Sequence, residues 1–332
     1  MENIKIKTAL ISVFEKEGVV EMGKFLAEGG VKIISTGGTY KLLKEAGIEV
    51  IEISDFTSFP EMMSGRLKTL HPKIHGGLLG RREDAEVMKE HGIEKIDLTI
   101  VNLYPFEETV KAGGTFEEII EKIDIGGPSM VRSSAKNFKY TTVITDAKDY
   151  EELKKVLQEN DFCTSIEFRK NCAGKAFTLT AFYDSVISNW FEYCGELQTV
   201  PLRKKQELRY GENPHQRAAA FEIPLSNAGI LSAKKLQGKE LSYNNICDAD
   251  AASEVAFSFN EPAICIVKHA NPCGIATGET IEQAYEDALK CDSRSAFGGI
   301  VASNCMVTAK LAELMKAMFF EVIIAPAFSK AV

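Results

Sequence analysis

The stretch "IISTGGTYKLL", Ile33 to Leu43, decides how the first half of the chain folds. An apolar run ends at Ser35, a Thr-Gly-Gly-Thr turn follows, and a helix begins. Small residues at such a junction let backbone N–H groups approach an anion, and the helix N-terminus adds a favourable dipole. Ser35, Thr36 and Thr39 add hydroxyl groups, and Gly37 and Gly38 keep the backbone accessible. The plainer alternative is an ordinary strand-to-helix turn with a threonine as N-cap. No G-x-G-x-x-G and no Walker sequence is present, so neither a dinucleotide nor a P-loop ATP site is indicated.

The same rhythm extends on both sides. Ala9–Val13, Val31–Ser35, Val50–Ile53, Leu98–Leu103 and Thr142–Thr145 are short, nearly continuous apolar runs, as parallel strands covered on both faces should be. Between them, "GVVEMGKFLAEGG" and "TYKLLKEAGI" read as helices ended by glycine. The pattern is that of a doubly wound α/β sheet. A helical tail runs from Tyr150 through "AFTLTAFYDSVISNWF", and the polar segment "CGELQTVPLRKKQ" reads as a boundary. Beyond it "AICIVKH", "FGGIVASN" and "EVIIAPAF" read as strands, and "IEQAYEDALKC" and "TAKLAELMKAMF" as helices, making a second α/β unit.

A length of 332 residues suits roughly two domains. The net charge of −8 and the pI near 5.4 argue against a nucleic-acid or membrane-surface protein. No apolar run reaches the ~18 residues of a spanning helix. "MENIKIKTALISV" enters a strand without a signal-peptide cleavage pattern. The eight cysteines form no Cys-x-x-Cys pair and lie in apolar segments, so buried thiols in a reducing cytoplasm are expected. His269 and Cys273 stand four apart without further ligands at metal spacing, so no zinc site is expected.

Several polar segments carry groups suited to chemistry. "SGRLKTLHPKIHGG", residues 64–77, reads as an ordered loop presenting Arg66, Lys68, His71, Lys73 and His75, anchored by Leu67, Leu70 and Ile74. Arginine suits bidentate phosphate contact and lysine a point charge on a reacting oxygen. "VNLYPFEETV" delivers Asn102 and Tyr104 at the end of a strand. In "IDIGGPSMVRSSAKN", Asp124 precedes the positive end of a helix opened by Gly126, Gly127 and Pro128, and Arg132 and Lys136 share one face. The second half offers Arg209 and Tyr210 in "ELRYGENPHQRAA", Asn245 in "LSYNNICDADAA", and Ser295, Phe297 and Gly298 in "DSRSAFGGIVAS". "IVKHANPCGIA" ends a buried strand in Lys268-His269, with a turn expected at Pro272-Cys273-Gly274.

Seven of these motifs, "STGGT", "GRLKTLHP", "NLYPF", "DIGGPSMVRSSAKN", "RYGENPHQ", "KHANPCG" and "SAFGG", stand in the order found in one family. From residue 8 to the last, the chain resembles the AICAR formyltransferase/IMP cyclohydrolase family of purine biosynthesis. The resemblance implies an IMP cyclohydrolase domain of methylglyoxal-synthase-like, doubly wound parallel fold over residues 1–199. It implies over residues 200–332 the N-terminal part of a transformylase, a cytidine-deaminase-like α/β unit without the zinc. Family members continue well beyond Val332, so an incomplete transformylase is expected. A second departure lies in the first motif, usually Ser-Val-Ser-Asp-Lys and here "SVFEK", with Phe14 for a serine and Glu15 for the aspartate.

The implied chemistry is formyl transfer from 10-formyltetrahydrofolate to AICAR, giving FAICAR, followed by dehydrating ring closure to IMP. By resemblance, Lys68, Tyr104, Asp124 and Lys136 are catalytic for closure, and Lys268 and His269 for transfer. Ser12, Lys16, Ser35, Thr36, Gly37, Gly38, Thr39, Arg66, Thr69, Asn102, Gly126 and Gly127 are expected to bind the cyclohydrolase substrate. Arg209, Tyr210, Asn245, Ser295, Phe297 and Gly298 are expected to line the transformylase site. The partners implied are these nucleotides and the folate cosubstrate, with no metal, nucleic acid or membrane, in a cytoplasmic homodimer. Two other readings of the chain remain open here: an effector-binding regulatory module of the same fold, and an interaction fragment with an exposed apolar surface.

Overall fold

Strand Thr8–Ser12 is the middle of a five-stranded sheet with the spatial order Ile51–Glu52, Lys32–Ser35, Thr8–Ser12, Leu98–Val101, Thr142–Ile144. Every neighbouring pair is parallel. This is the doubly wound sheet that the sequence predicts. The computed structural model describes residues 3–226 and 228–330. It divides the chain into two compact units, Met1–Pro201 and Leu202–Val332.

In the first unit, Ala9, Leu10, Ile11, Ile34, Leu98 and Ile100 are almost wholly removed from water, because helices cover both faces of the sheet. Helix Val19–Glu28 buries Val19, Met22 and Leu26, a stripe at helical spacing. Helices Gly126–Lys136 and Ile166–Trp190 pack on each other and on the sheet, burying Met130, Val131, Ala135, Cys172, Ala173 and Ala176. The register sets Ile11 beside Ser35 and Ser12 beside Val101, so the central strands end level. From Thr8–Ser12 the chain steps to one side twice, then crosses to Leu98–Val101 on the other. That switch of direction opens a crevice beyond the carboxyl ends of the two strands, the usual ligand position in such sheets.

The second unit has a mixed sheet ordered Asn271–Thr277, Ala263–Lys268, Gly299–Ser303, Phe320–Ile324. The first two pairings are antiparallel and the last is parallel. Helices Tyr243–Phe257 and Ile281–Cys291 supply the apolar faces of two small cores.

Three expectations are corrected. The turn in "IVKHANPCGIA" is made by His269 and Ala270, whose φ angles of 55° and 57° form a two-residue hairpin loop. Pro272, Cys273 and Gly274 continue as an edge strand, where proline's missing N–H is tolerated. Gly274 serves close packing instead of a turn: a Cβ there would lie 2.1 Å from the Ala288 carbonyl oxygen. The basic "SGRLKTLHPKIHGG" segment is half helix, since His71 caps Pro72–Leu79 by accepting the Lys73 N–H at 3.1 Å. The division after Pro201 falls within the expected boundary segment "CGELQTVPLRKKQ", whose charged end is the exposed strand Arg203–Glu207, paired with Ala219–Glu222 and bearing no apolar period to mark it. Cys172 and Cys265 are buried as expected, but Cys194 and Cys291 are exposed; all eight thiols are free. No helix of the described residues is long and apolar enough to cross a membrane.

Candidate functional site

The crevice of the first unit is floored by the ends of its two central strands. Asn102, just past Val101, laces them together: its Oδ1 accepts the Phe14 N–H, and its Nδ2 donates to the Glu15 carbonyl at 3.1 Å. The loop after Ser12 is further held by Thr39, whose Oγ1 donates to the Val13 carbonyl at 2.9 Å and accepts the Val13 N–H at 3.2 Å. Ser12 and Thr36 share a hydroxyl bond of 2.8 Å at the entrance to helix Gly37–Glu45. The Ser35 hydroxyl is committed to the Ile11 carbonyl at 2.6 Å, so its part is to join strands.

Two lysines converge on this turn. Lys16 donates to Thr39 Oγ1 at 2.9 Å and to the Val13 carbonyl, both neutral oxygens. Burial pushes its pKa down. An ammonium desolvated without a counter-charge on those acceptors is suited to receiving an anion. Lys68 pairs with Glu61 at 2.8 Å, and a Cβ on Gly37 would stand 2.8 Å from its Nζ. Gly37, at φ 47°, therefore lets the ammonium lie against the turn. Gly38 is exposed, and a Cβ there would meet open space. A helix N-terminus, two cations and two small hydroxyl groups thus gather at one turn.

Beside them Asp124 and Tyr104 lie together. Asp124 Oδ1 accepts the Gly127 N–H at 2.8 Å. Burial raises the Asp124 pKa, against the opposing pull of the Gly127 and Tyr104 N–H groups. Burial also raises that of Tyr104, helped by the charges of Asp124 and Glu61. Gly127 permits this arrangement, since a Cβ would fall 2.4 Å from Asp124 Oδ2. Thr69 packs on Gly126 in the same way, 2.5 Å from where a Cβ would be, joining the lysine loop to the aspartate turn. The Tyr183 hydroxyl accepts the Asp124 N–H and donates to the Lys122 carbonyl, each at 2.9 Å. No motif marked Tyr183 or Glu61; both are visible only once distant segments meet.

Not every residue joins the group. Arg66 is exposed and paired with Glu121. Lys136 ends the helix that Gly126 begins, about 15 Å along its axis at 1.5 Å per residue. It lines an open groove of about 230 Å³ with Leu79, Arg132, Ser133 and Phe177, away from Asp124.

In the second unit, Lys268 Nζ donates to the Phe297 carbonyl at 2.6 Å, which brings Lys268 to the Ser295–Gly298 turn. Ser295 Oγ is bound to Asp292 at 2.6 Å, and Gly298 turns at φ 70°. His269 stands exposed on its hairpin, which the Ala270 N–H ties to Asp248 Oδ1 at 2.7 Å. The Lys268 ammonium is thus directed to Phe297 and not to the imidazole. Asn245 is buried, capping its own helix with Ser242 and donating to Glu321 at 2.6 Å. Arg209 lies over the Tyr210 ring at 4.9 Å, and the Tyr243 N–H bonds the Tyr210 carbonyl, so both residues reach the start of the same helix. Among the described residues, no three His, Cys, Asp or Glu side chains gather as a metal site requires.

Fold and site together define an α/β protein of two units, the first with a crevice where a helix N-terminus and two lysines stand beside Asp124 and Tyr104. Residues 18–129 match the MGS-like domain family, and residues 134–332 match the AICARFT/IMPCHase bienzyme family. The chain belongs to the AICARFT/IMPCHase bienzyme family. The bifunctional purine biosynthesis proteins PurH of Rhizobium rhizogenes and of Agrobacterium fabrum are each 52% identical to it over 336 aligned positions, covering 98% of this chain and 62% of their own length. That of Ruegeria sp. is 50% identical over 98% of this chain and 63% of its own. The chain therefore spans less than two thirds of the length of these relatives. Among solved structures, the crystal structure of ForH is 32% identical with a TM-score of 0.50, over 56% of this chain and 99% of that one.

Proposed function

We propose that the first unit, residues 1–199, is an IMP cyclohydrolase that closes FAICAR to IMP, and that residues 200–332 form part of an AICAR formyltransferase site. One observation carries the reading: an anion cradle and an acid–base pair share a single crevice at the switch point of the sheet. A phosphate-binding module needs the cradle alone; ring closure needs both.

The ribose phosphate lies against Lys16, Ser12, Thr36 and the N–H groups of Gly37 and Gly38. With that end anchored, the carboxamide nitrogen is held against the formyl carbon of the same molecule, and such positioning supplies much of the acceleration. As the C–N bond forms, negative charge grows on the formyl oxygen, and Lys68 stabilises it. Asp124 takes the amide proton and returns it to the formyl oxygen, which Tyr104 hydrogen-bonds; the formamide N–H gives up the second proton as the C=N bond forms, the C–O bond breaks and water leaves. In the second unit, Arg209 and Tyr210 hold the AICAR nucleotide. Lys268 steadies the developing charge, and His269 takes the amine proton as 10-formyltetrahydrofolate gives up its formyl group. The reading places these reactions in a cytoplasmic homodimer.

The test is to supply purified chain with FAICAR, and separately with AICAR plus 10-formyltetrahydrofolate, and to follow IMP by absorbance. IMP from FAICAR is the expected result. Tight binding of IMP with no turnover of FAICAR overturns the cyclohydrolase in favour of a regulatory module.

A further inference from the structure

Phe14 stands at the mouth of the crevice with its backbone fixed and its ring uncovered. Its N–H is held by Asn102, yet its side chain is 43% exposed. The ring meets that of Tyr104, itself 46% exposed, with centroids 5.7 Å apart and planes at 64°. Lys122 Nζ lies 5.6 Å from the Phe14 ring centre. The backbone that carries Lys122 is pinned by the Tyr183 hydroxyl.

Two aromatic surfaces thus form an open corner between the anion cradle and Asp124. A corner of that kind fits a flat, electron-poor heterocycle carried on a sugar phosphate. Its edges and faces offer stacking and edge contact, which tolerate any base and discriminate against ligands with none. We infer that Phe14 is a specificity-determining residue of this crevice, the ledge against which the base of a nucleoside monophosphate rests. This deepens the cyclohydrolase reading and rests on its premise that the crevice holds a nucleotide. The ledge acts on the base and leaves the phosphate end untouched, so its loss discriminates between ligands with and without a base.

Isothermal titration of the whole chain with IMP and with ribose 5-phosphate tests it. Phe14→Ser is expected to weaken IMP about tenfold, the size of one lost base–aromatic contact, and to leave ribose 5-phosphate within twofold. Unchanged ribose 5-phosphate binding also reports a folded crevice. Phe14→Tyr, which keeps a ring, restores IMP affinity. Equal weakening of both ligands by Phe14→Ser, or no change in IMP, overturns the ledge while leaving the cyclohydrolase standing. Failure of the unsubstituted chain to bind IMP overturns the nucleotide premise itself.

Discussion

Lys16 shows how a residue advertises its ligand. Its ammonium is partly desolvated, its pKa is lowered by burial, and its hydrogen-bond acceptors carry no charge. An incoming phosphate repairs that deficit. Lys16→Met is therefore expected to weaken IMP and ribose 5-phosphate alike, by about tenfold or more for a lost charged hydrogen bond. Isothermal titration at two salt concentrations checks both the loss and its reduced salt dependence. Asp124 gives the complementary signal. Its carboxyl takes up a proton at a higher pH than an ordinary aspartate. A base is active in its deprotonated form, so kcat/KM for FAICAR should fall on the acid side, with a midpoint above that of an ordinary aspartate. Asp124→Asn removes that limb. A profile whose acid limb is the same in both proteins would take the base role from Asp124.

At the scale of elements, glycines set how closely segments approach. Gly127→Ala forces a Cβ to within 2.4 Å of Asp124 Oδ2. The carboxylate must move, and closure should slow at least tenfold while ribose 5-phosphate still binds. Tyr183→Phe strips the hydroxyl shared by the Asp124 N–H and the Lys122 carbonyl, and should cost about 1–3 kcal/mol of stability in denaturant melts. The sheet of the first unit was legible in the sequence because its strands are apolar on both faces and its helices end in glycine. The motif residues Lys68, Tyr104, Asp124 and Gly127 were legible as separate groups. Their convergence was not, because it depends on which strand crosses to the other side of the sheet. Lys136 illustrates the limit: its motif also holds Asp124, but a helix carries it to the far end. The hairpin at His269-Ala270 was hidden for another reason. Proline and glycine usually mark turns, and here Pro272 sits in an edge strand while Gly274 admits the helix carbonyl of Ala288.

Each unit of the molecule has its own hydrophobic core, a large one in the first and two small ones in the second. The second therefore has less apolar burial to lose. Gly274→Ala, which drives a methyl group into the Ala288 carbonyl, should destabilise that unit by about 1–3 kcal/mol. Calorimetry of the whole chain should show one shifted transition, with ribose 5-phosphate binding by the first unit unchanged. The account as a whole stands on the claim that the crevice performs ring closure and does not merely hold a phosphate. The most direct measurement is the rate of IMP formation from FAICAR by the chain and by Lys68→Ala, with IMP affinity determined on the same samples. The account predicts turnover by the chain and a fall in kcat of roughly 10²–10³-fold in the variant, the usual loss for a removed oxyanion donor. Equal rates in the two proteins, or nucleotide binding without turnover in either, would contradict it.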